Sequence, residues 1–563
     1  MISLNKLKNI DTPARYIGTE ARQYIKNSAL VSNRICVAAP VMYEMGMFDF
    51  DIKLLYYILN NRKDTWAERC FAPMPDFENL LKVEGEKLYT LESKTPLKNM
   101  DAIIFSVSSE MMYTNMINML NLGGVPILKD RRKEGFPLVI ATGSAILNPK
   151  PVEKFVDLFI IGESKTVITD IIDKLSQTKQ LSKEDILDSM KDIPGVYIPN
   201  ITTHDVHMIC DLDIDSELVP KSMLVPSIKT MVDKSVVMLS KGCEKNCITC
   251  SHKYIYGTPQ YMSMDKAVLK TKKIMNATGN TDVMLMTNCY GTYPYFPEIL
   301  YKLQDLDRPK VKSMSFMEVK LNKDNLWLLK YMTDLEDYPS IIVGAESDRL
   351  KEKLGIEITR EDVLYVARKV FEAGFNKIKL KYIIGVPTET YEDLSNILKL
   401  ANSICKIYKE VYSKAPDKYI VEINLYNFKA KPHTPSQWCQ VNTAENIEIK
   451  QRYLKDKNKN ELIVITSEDG KQSVIETMLA RGDEAVSDVI YEAWKLGARH
   501  DMMENIFNVE AWQIALNKTG VELKKYLEEL NEKVLLPWDN IHVLTQKEEL
   551  RRIYINKIKG DGK

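Results

Sequence analysis

The chain of 563 residues carries no excess of charge: 77 lysines and arginines face 77 aspartates and glutamates. A neutral balance gives no footing for bulk recruitment to nucleic acid or to an anionic membrane, although a local basic patch is compatible with it. Long apolar runs are also missing. A membrane helix needs about 20 apolar residues in succession; the best stretches, Ala102–Val107 and Ile341–Gly344, are far shorter and read as buried strands. Residues 1–16 hold no apolar signal core, so a cytoplasmic location with no membrane partner is expected. Low-complexity tracts and repeats of solenoid period are absent. Histidine is scarce, at 204, 207, 252, 433, 500 and 542 only, with none in 34–180. The nine cysteines, at 36, 70, 210, 243, 247, 250, 289, 405 and 439, are odd in number and only three of them cluster. That excludes a disulfide framework and points to metal.

What is present is an ordinary globular composition, 45% hydrophobic and 27% charged, long enough for two to four domains. From 34 to 180 short apolar runs (Ile35–Ala39, Ala102–Val107, Leu138–Ala141, Leu158–Ile161) alternate with helical patterns at Ile52–Leu59 and Asn115–Leu122. Such alternation predicts a doubly wound parallel sheet with helices on both faces, its ligands beyond the carboxyl ends of the strands. Residues 185–232 read as a connector. A second alternating block follows, with strands predicted at Val236–Leu239, Val283–Met286, Ser313–Val319, Ile341–Gly344, Ile378–Val386 and Ile420–Leu425. Asp362–Phe371 has helical spacing, and Thr390 with Asp393 signals a capped helix start. Six strands with intervening helices predict a partial (β/α)6 barrel. Beyond 431 the pattern turns helical and polar. The expected division is therefore 1–184, 185–232, 233–430 and 431–563, and the fold class is α/β.

The chemistry concentrates in Leu239-Ser-Lys-Gly-Cys243-Glu-Lys-Asn-Cys247-Ile-Thr-Cys250. Three thiolates within eight residues can wrap one soft metal centre. Iron–sulfur clusters usually take four cysteines, so three leave one iron open to a substrate or cofactor. The alternative is zinc with His252 as the fourth ligand, but no second cysteine hook is present.

This CxxxCxxC triplet after a strand resembles the signature of the radical S-adenosylmethionine (SAM) superfamily. The resemblance implies a [4Fe–4S] cluster on Cys243, Cys247 and Cys250. SAM would chelate the open iron and be split reductively to methionine and a 5′-deoxyadenosyl radical. The family usually carries an aromatic residue before the third cysteine; Thr249 stands there, and Tyr254 or Tyr256 could supply a ring. Gly344-Ala-Glu346-Ser-Asp-Arg349 resembles the motif whose acid holds the SAM ribose, a carboxylate being able to accept from both hydroxyls. Arg349 could pair a carboxylate; a plain salt bridge at a strand end is the alternative for both residues. Thr287-Asn288 falls where the second strand offers polar groups to SAM, while Cys289 reads as a buried thiol. Gly385 and Pro387, in Gly385-Val-Pro-Thr-Glu389, resemble the later turn closing the SAM pocket. Nothing is carried over to Glu318 and Lys320, where relatives often place an arginine.

Residues 34–180 resemble the cobalamin-binding domain of a radical SAM branch, through Val41–Gly46, Thr142-Gly-Ser-Ala, Asn148-Pro-Lys-Pro and Asp157…Ile161-Gly162-Glu163. A subgroup with this domain order also shares Arg15–Gly18, Arg69–Asp76, Pro432–Trp438, Arg481–Asp483 and Leu536–Asp539. The resemblance implies cobalamin contacts at Glu44, Gly46, Ser106, Ser108, Gly143, Ser144, Gly162 and Glu163. The D-x-H-x-x-G motif that ligates cobalt in many B12 proteins is absent, so any cobalamin would be bound without that histidine; a vestigial docking domain is the alternative. His433, past the last barrel strand, is either a substrate contact or a structural turn. The implied reaction is methyl transfer to an unactivated carbon, with a corrinoid-free rearrangement, cyclisation or methylthiotransfer as the alternative. A non-enzymatic electron-transfer or sensing role is the rival from another class. A reductant such as flavodoxin or ferredoxin is expected, and a small molecule or peptide rather than RNA as substrate.

Overall fold

The computed structural model describes residues 2–560 other than 212, 217, 289, 317, 318, 333–337, 413–415 and 417, so Cys289 and Glu318 lie outside the described residues. Six strands form the N-terminal sheet: β1 (Asn33–Ala39), β2 (Thr65–Phe71), β3 (Ala102–Ser106), β4 (Leu138–Thr142), β5 (Leu158–Ile160) and β6 (Val196–Tyr197). Their order is β2-β1-β3-β4-β5-β6, parallel except for the antiparallel edge β6. Strand order reverses between β1 and β3, the crevice where doubly wound sheets bind ligands. Strands β3, β4 and β5 are buried along their whole length, as a parallel sheet covered on both faces requires.

The pattern of residues 65–71 gives no strand, because Glu68 and Arg69 interrupt the apolar run. Both are fully buried. Arg69 forks onto Glu20 (2.9 and 3.1 Å) and bonds Glu92 (2.7 Å), while Glu68 pairs with Arg34, so each buried charge has a partner of opposite sign. The sheet also reaches past the expected boundary at 184, since β6 lies inside the segment read as a connector.

The second unit contributes β7 (Ser235–Met238), β8 (Asp282–Met286), β9 (Ser313–Phe316), β10 (Ser340–Gly344), β11 (Ile378–Ile384), β12 (Val421–Asn427) and β13 (Ile463–Ser467). Ladders join β7-β8-β9 and β10-β11-β12-β13, all parallel, and a Lys320–Ser340 bridge links the two groups. Among the described residues the row thus has seven strands rather than six. The seventh falls in the region expected to be helical; its β-branched run Ile463-Val-Ile-Thr suits the exposed edge of a sheet. Capping boxes at Thr359/Asp362 and Thr390/Asp393 start the helices Arg360–Glu372 and Tyr391–Val411. Val363, Val366, Ala367, Val370 and Phe371 form the buried stripe of the first. No described helix is long and apolar enough to cross a membrane.

The carboxyl ends of the two sheets face each other. His433 in the loop after β12 reaches Leu147 after β4, and Lys431 reaches Glu110 after β3. The helices Gly470–Arg481 and Ala485–Lys495 pack over this junction, with Asn148 donating to the carbonyls of Ala480 (2.9 Å) and Gly482 (2.8 Å).

Candidate functional site

β7 delivers the chain to the cysteine loop, and close backbone packing sets the loop's shape. Ser240–Lys241 pairs with Gln260–Tyr261 and closes the loop at its base. Gly242 has φ +73°, and a Cβ there would lie 2.5 Å from the Thr258 carbonyl oxygen. The N–H of Cys243 donates to Gly257 (3.2 Å), that of Cys250 to Cys247 (3.3 Å), and that of Ile248 to Leu354 (3.0 Å). Cys250 then opens the helix Ser251–Tyr256.

None of the three cysteines is in a disulfide. Burial, and next the neighbouring Cys250, push the Cys247 thiol upward, so a metal must displace its proton on binding. No group of three His, Cys, Asp or Glu among the described residues is gathered tightly enough for one ion. A tetrahedral zinc, with Zn–S near 2.3 Å, would need sulfurs within about 4 Å of each other. A cluster takes thiolates at separate iron corners and does not require the sulfurs to close on one ion. Two polar atoms beside the loop support a bound group: Tyr254 Oη and His252 Nε2 are buried and without a hydrogen-bond partner. Tyr254 stands one helical turn from Cys250 on the same face. These residues fit a cluster with further occupants in contact.

The residues expected around SAM come from the ends of β8, β10 and β11. Glu346 is buried, pairs with Arg360 (2.5 Å) and receives the Tyr382 hydroxyl at 3.3 Å. Burial pushes its carboxyl up in spite of Lys351 and Arg360. Arg349 is turned to Thr388 (2.7 Å) and Asp393 (2.8 Å), tying two loops together. Thr287 Oγ1 shares a hydrogen bond with Ser240 (2.6 Å), next to the cysteine loop, and Asn288 is exposed. Gly385, at φ +79°, donates to Glu389 (2.9 Å) and accepts from Asn442 (2.8 Å), a self-closed turn with Pro387 at its edge. Sequence reasoning missed Lys351. The residue is 4% exposed, and its buried ammonium lowers the Glu346 carboxyl and has no hydrogen-bond partner. A buried lysine beside a glutamate looks like any surface helix residue in sequence; only burial marks it.

At the barrel mouth a cavity of about 360 Å³ brings Thr249, inside the cysteine loop, together with Lys320, Lys381, Lys429 and Lys431. Glu468 and Glu476 share its wall.

The predicted cobalamin contacts are largely engaged inside the protein. Glu44 is forked by Arg15 at 2.9 and 3.0 Å, and Ser106 donates to Asp49 (2.9 Å). Glu163 pairs with Lys241 (2.8 Å) and Lys165 (3.2 Å). A Cβ on Gly46 would meet the Phe71 ring at 2.4 Å, and those on Gly143 and Gly162 would meet carbonyl oxygens at 2.3 and 2.1 Å. Only Ser108 and Ser144 are exposed. The ring would lie between the facing strand ends, where His433 Nε2 is 3.1 Å from the Leu147 carbonyl and Lys431 Nζ is 2.8 Å from Glu110. These two contacts bridge the gap, and together with the engaged side chains they weigh against a corrin in this arrangement. His433 itself is 5% exposed and bonded into this junction, which favours the structural of its two expected roles.

Residues 237–401 match the family model "Radical SAM superfamily", and residues 51–199 match "Radical SAM proteins, N-terminal". The chain belongs to the radical SAM superfamily. An uncharacterized protein of Methanocaldococcus jannaschii is 26% identical over 71% of this chain and 82% of its own length. A tRNA-2-methylthio-N(6)-dimethylallyladenosine synthase of Clostridium beijerinckii is 22% identical over 53% of this chain, which spans only 60% of that relative. Among solved structures, the cobalamin-dependent S-adenosylmethionine radical enzyme OxsB with aqua-cobalamin bound aligns at TM-score 0.43 and 12% identity, over 88% of this chain and 72% of that one. Radical SAM membership implies a [4Fe–4S] cluster and SAM, and the three-cysteine loop with its orphaned neighbours suits both.

Proposed function

We propose that the chain is a cytoplasmic radical SAM enzyme that acts on a small polar substrate at the barrel mouth, without a corrinoid. The observation that carries this is the shared cavity: Thr249 of the cysteine loop and the lysines closing β11 and β12 line one space. Cys243, Cys247 and Cys250 would hold the cluster, which, with a reductant such as flavodoxin or ferredoxin, would supply the electron for reductive SAM cleavage and so radical chemistry at the substrate. The protein's part is to position these groups and keep water out. Glu346 Oε2, engaged only by a long bond from Tyr382, keeps lone pairs for the ribose hydroxyls. Lys351 offers a buried ammonium to a carboxylate. Lys429 and Lys431 are braced by Glu476 at 2.8 and 2.7 Å, fixing the wall the substrate meets. A cavity of about 360 Å³ suits a small molecule or a single side chain better than a folded RNA. The test is anaerobic incubation of iron-loaded protein with SAM and dithionite, reading 5′-deoxyadenosine.

Cobalamin-dependent methyl transfer to an unactivated carbon is the second reading. The strand order β2-β1-β3-β4-β5 and the facing carboxyl ends of the two sheets favour it; the engaged contact residues weigh against it. Corrinoid content after anaerobic purification separates the two. Methylthiotransfer has less support, since sulfur insertion normally needs an auxiliary cluster. The remaining described cysteines do not gather for one: Cys36 and Cys70 are buried inside the first sheet, Cys210 is half-buried beside Glu163, and Cys405 and Cys439 are buried elsewhere.

A further inference from the structure

The loop after β5, expected to touch a corrin, instead grips the base of the cysteine loop. Glu163 Oε1 accepts from Lys241 Nζ at 2.8 Å, and the same ammonium donates to the Asp211 carbonyl at 3.1 Å. Lys241 and Glu163 are 9% and 14% exposed, so solvent screens this pair only weakly. Lys241 stands two residues before Cys243 and forms the strand pair that closes the loop. The backbone repeats the connection, because Gly162 bridges Ile209 in parallel and the Glu163 N–H donates to the Ile209 carbonyl at 2.8 Å. Three segments therefore meet at one ion pair: the first sheet, the connector, and the strand that carries the first cluster ligand.

We infer that the N-terminal sheet serves the cluster rather than a corrinoid, with Glu163 and Lys241 as positioning residues that fix the Cys243 end of the loop and balance charge beside it. This rests on the cluster assignment above. Cluster potential depends on nearby net charge and on solvent exposure. Removing Glu163 leaves an uncompensated cation next to the cluster, which favours the more negative, reduced form. Removing Lys241 takes one of the two cations off Glu163, leaves the surroundings one charge more negative and does the opposite. A purely structural loosening moves both variants the same way.

The experiment is an EPR-monitored redox titration of the reconstituted full chain, with Glu163→Gln, Lys241→Met and the double variant, and Glu163→Asp as the charge-conserving control. The expected result is a midpoint potential shifted up in E163Q and down in K241M. The double variant should return toward wild type and E163D should stay near it. Iron loss to a chelator should be several-fold faster in both single variants. Shifts of the same sign, or unchanged potentials and iron loss in variants that still hold four irons, overturn the inference while leaving the radical SAM reading intact. Wild-type protein that holds no cluster removes the premise and overturns both.

Discussion

Lys431 Nζ lies 2.8 Å from Glu110 Oε2 and 2.7 Å from Glu476 Oε1, so one ammonium joins the first sheet, the exit of β12 and the helix Gly470–Arg481. Replacing it by methionine takes the ion-pair partner from Glu110 and leaves Glu476 with Lys429 alone. Breaking a buried charge pair costs about 2–5 kcal/mol, and with 23% of the side chain exposed the low end applies. Lys431→Met should lower the thermal midpoint measurably and loosen the two units, read as faster proteolysis between them. An unchanged midpoint would show that the pair contributes nothing.

Acid should weaken the same junction in two windows. Burial holds the His433 imidazole down, from 6.5 to about 4. The folded state therefore disfavours its protonation, and stability falls as pH drops from about 6.5 toward 4. The two lysines beside Glu476 hold its carboxyl down to about 2, against burial, from an ordinary 4.5. Its stabilising effect is present above pH 4.5 and lost toward pH 2. Denaturant midpoints across pH should show His433→Gln flattening the upper window and Glu476→Gln the lower. Profiles parallel to wild type would contradict both assignments.

Glu346→Gln should weaken SAM binding by roughly ten- to a hundred-fold, the cost of losing a charged acceptor. Lys351→Met should act in the same direction. Both should keep normal iron content, measured beside the SAM dissociation constant. Unchanged SAM affinity would leave Glu346 as the partner of Arg360 alone.

Reconstitution with hydroxocobalamin, followed by gel filtration, should leave no corrinoid with the protein, because Glu44, Ser106 and Glu163 are engaged and His433 and Lys431 bridge the gap between the sheets. Stoichiometric retention would move the account to cobalamin-dependent methyl transfer.

The parts legible in the sequence were those with a strong local signal. Apolar runs marked β3, β4 and β5, and Thr390 with Asp393 marked a helix start. β2 was hidden because Glu68 and Arg69 sit inside it, neutralised by Arg34, Glu20 and Glu92 from distant segments. Several of the shared motifs outside the barrel hold distant segments together. His433 bonds Leu147, Asn148 bonds Ala480, and Trp538 donates to Gln437 (2.9 Å). A motif records that a residue matters; only the fold shows whether it touches a ligand or a neighbour.

The central claim is that Cys243, Cys247 and Cys250 hold a cluster that cleaves SAM, and deoxyadenosine yield beside iron content tests it most directly. Reconstituted wild type, reduced under anaerobic conditions with SAM, should hold about four irons per chain and release 5′-deoxyadenosine. Each of Cys243→Ala, Cys247→Ala and Cys250→Ala should lose iron and product, while Cys405→Ala, buried far along the chain in the helix Tyr391–Val411, keeps both. Undiminished iron and product in the three loop variants, or a four-iron wild type that leaves SAM intact, would contradict the account.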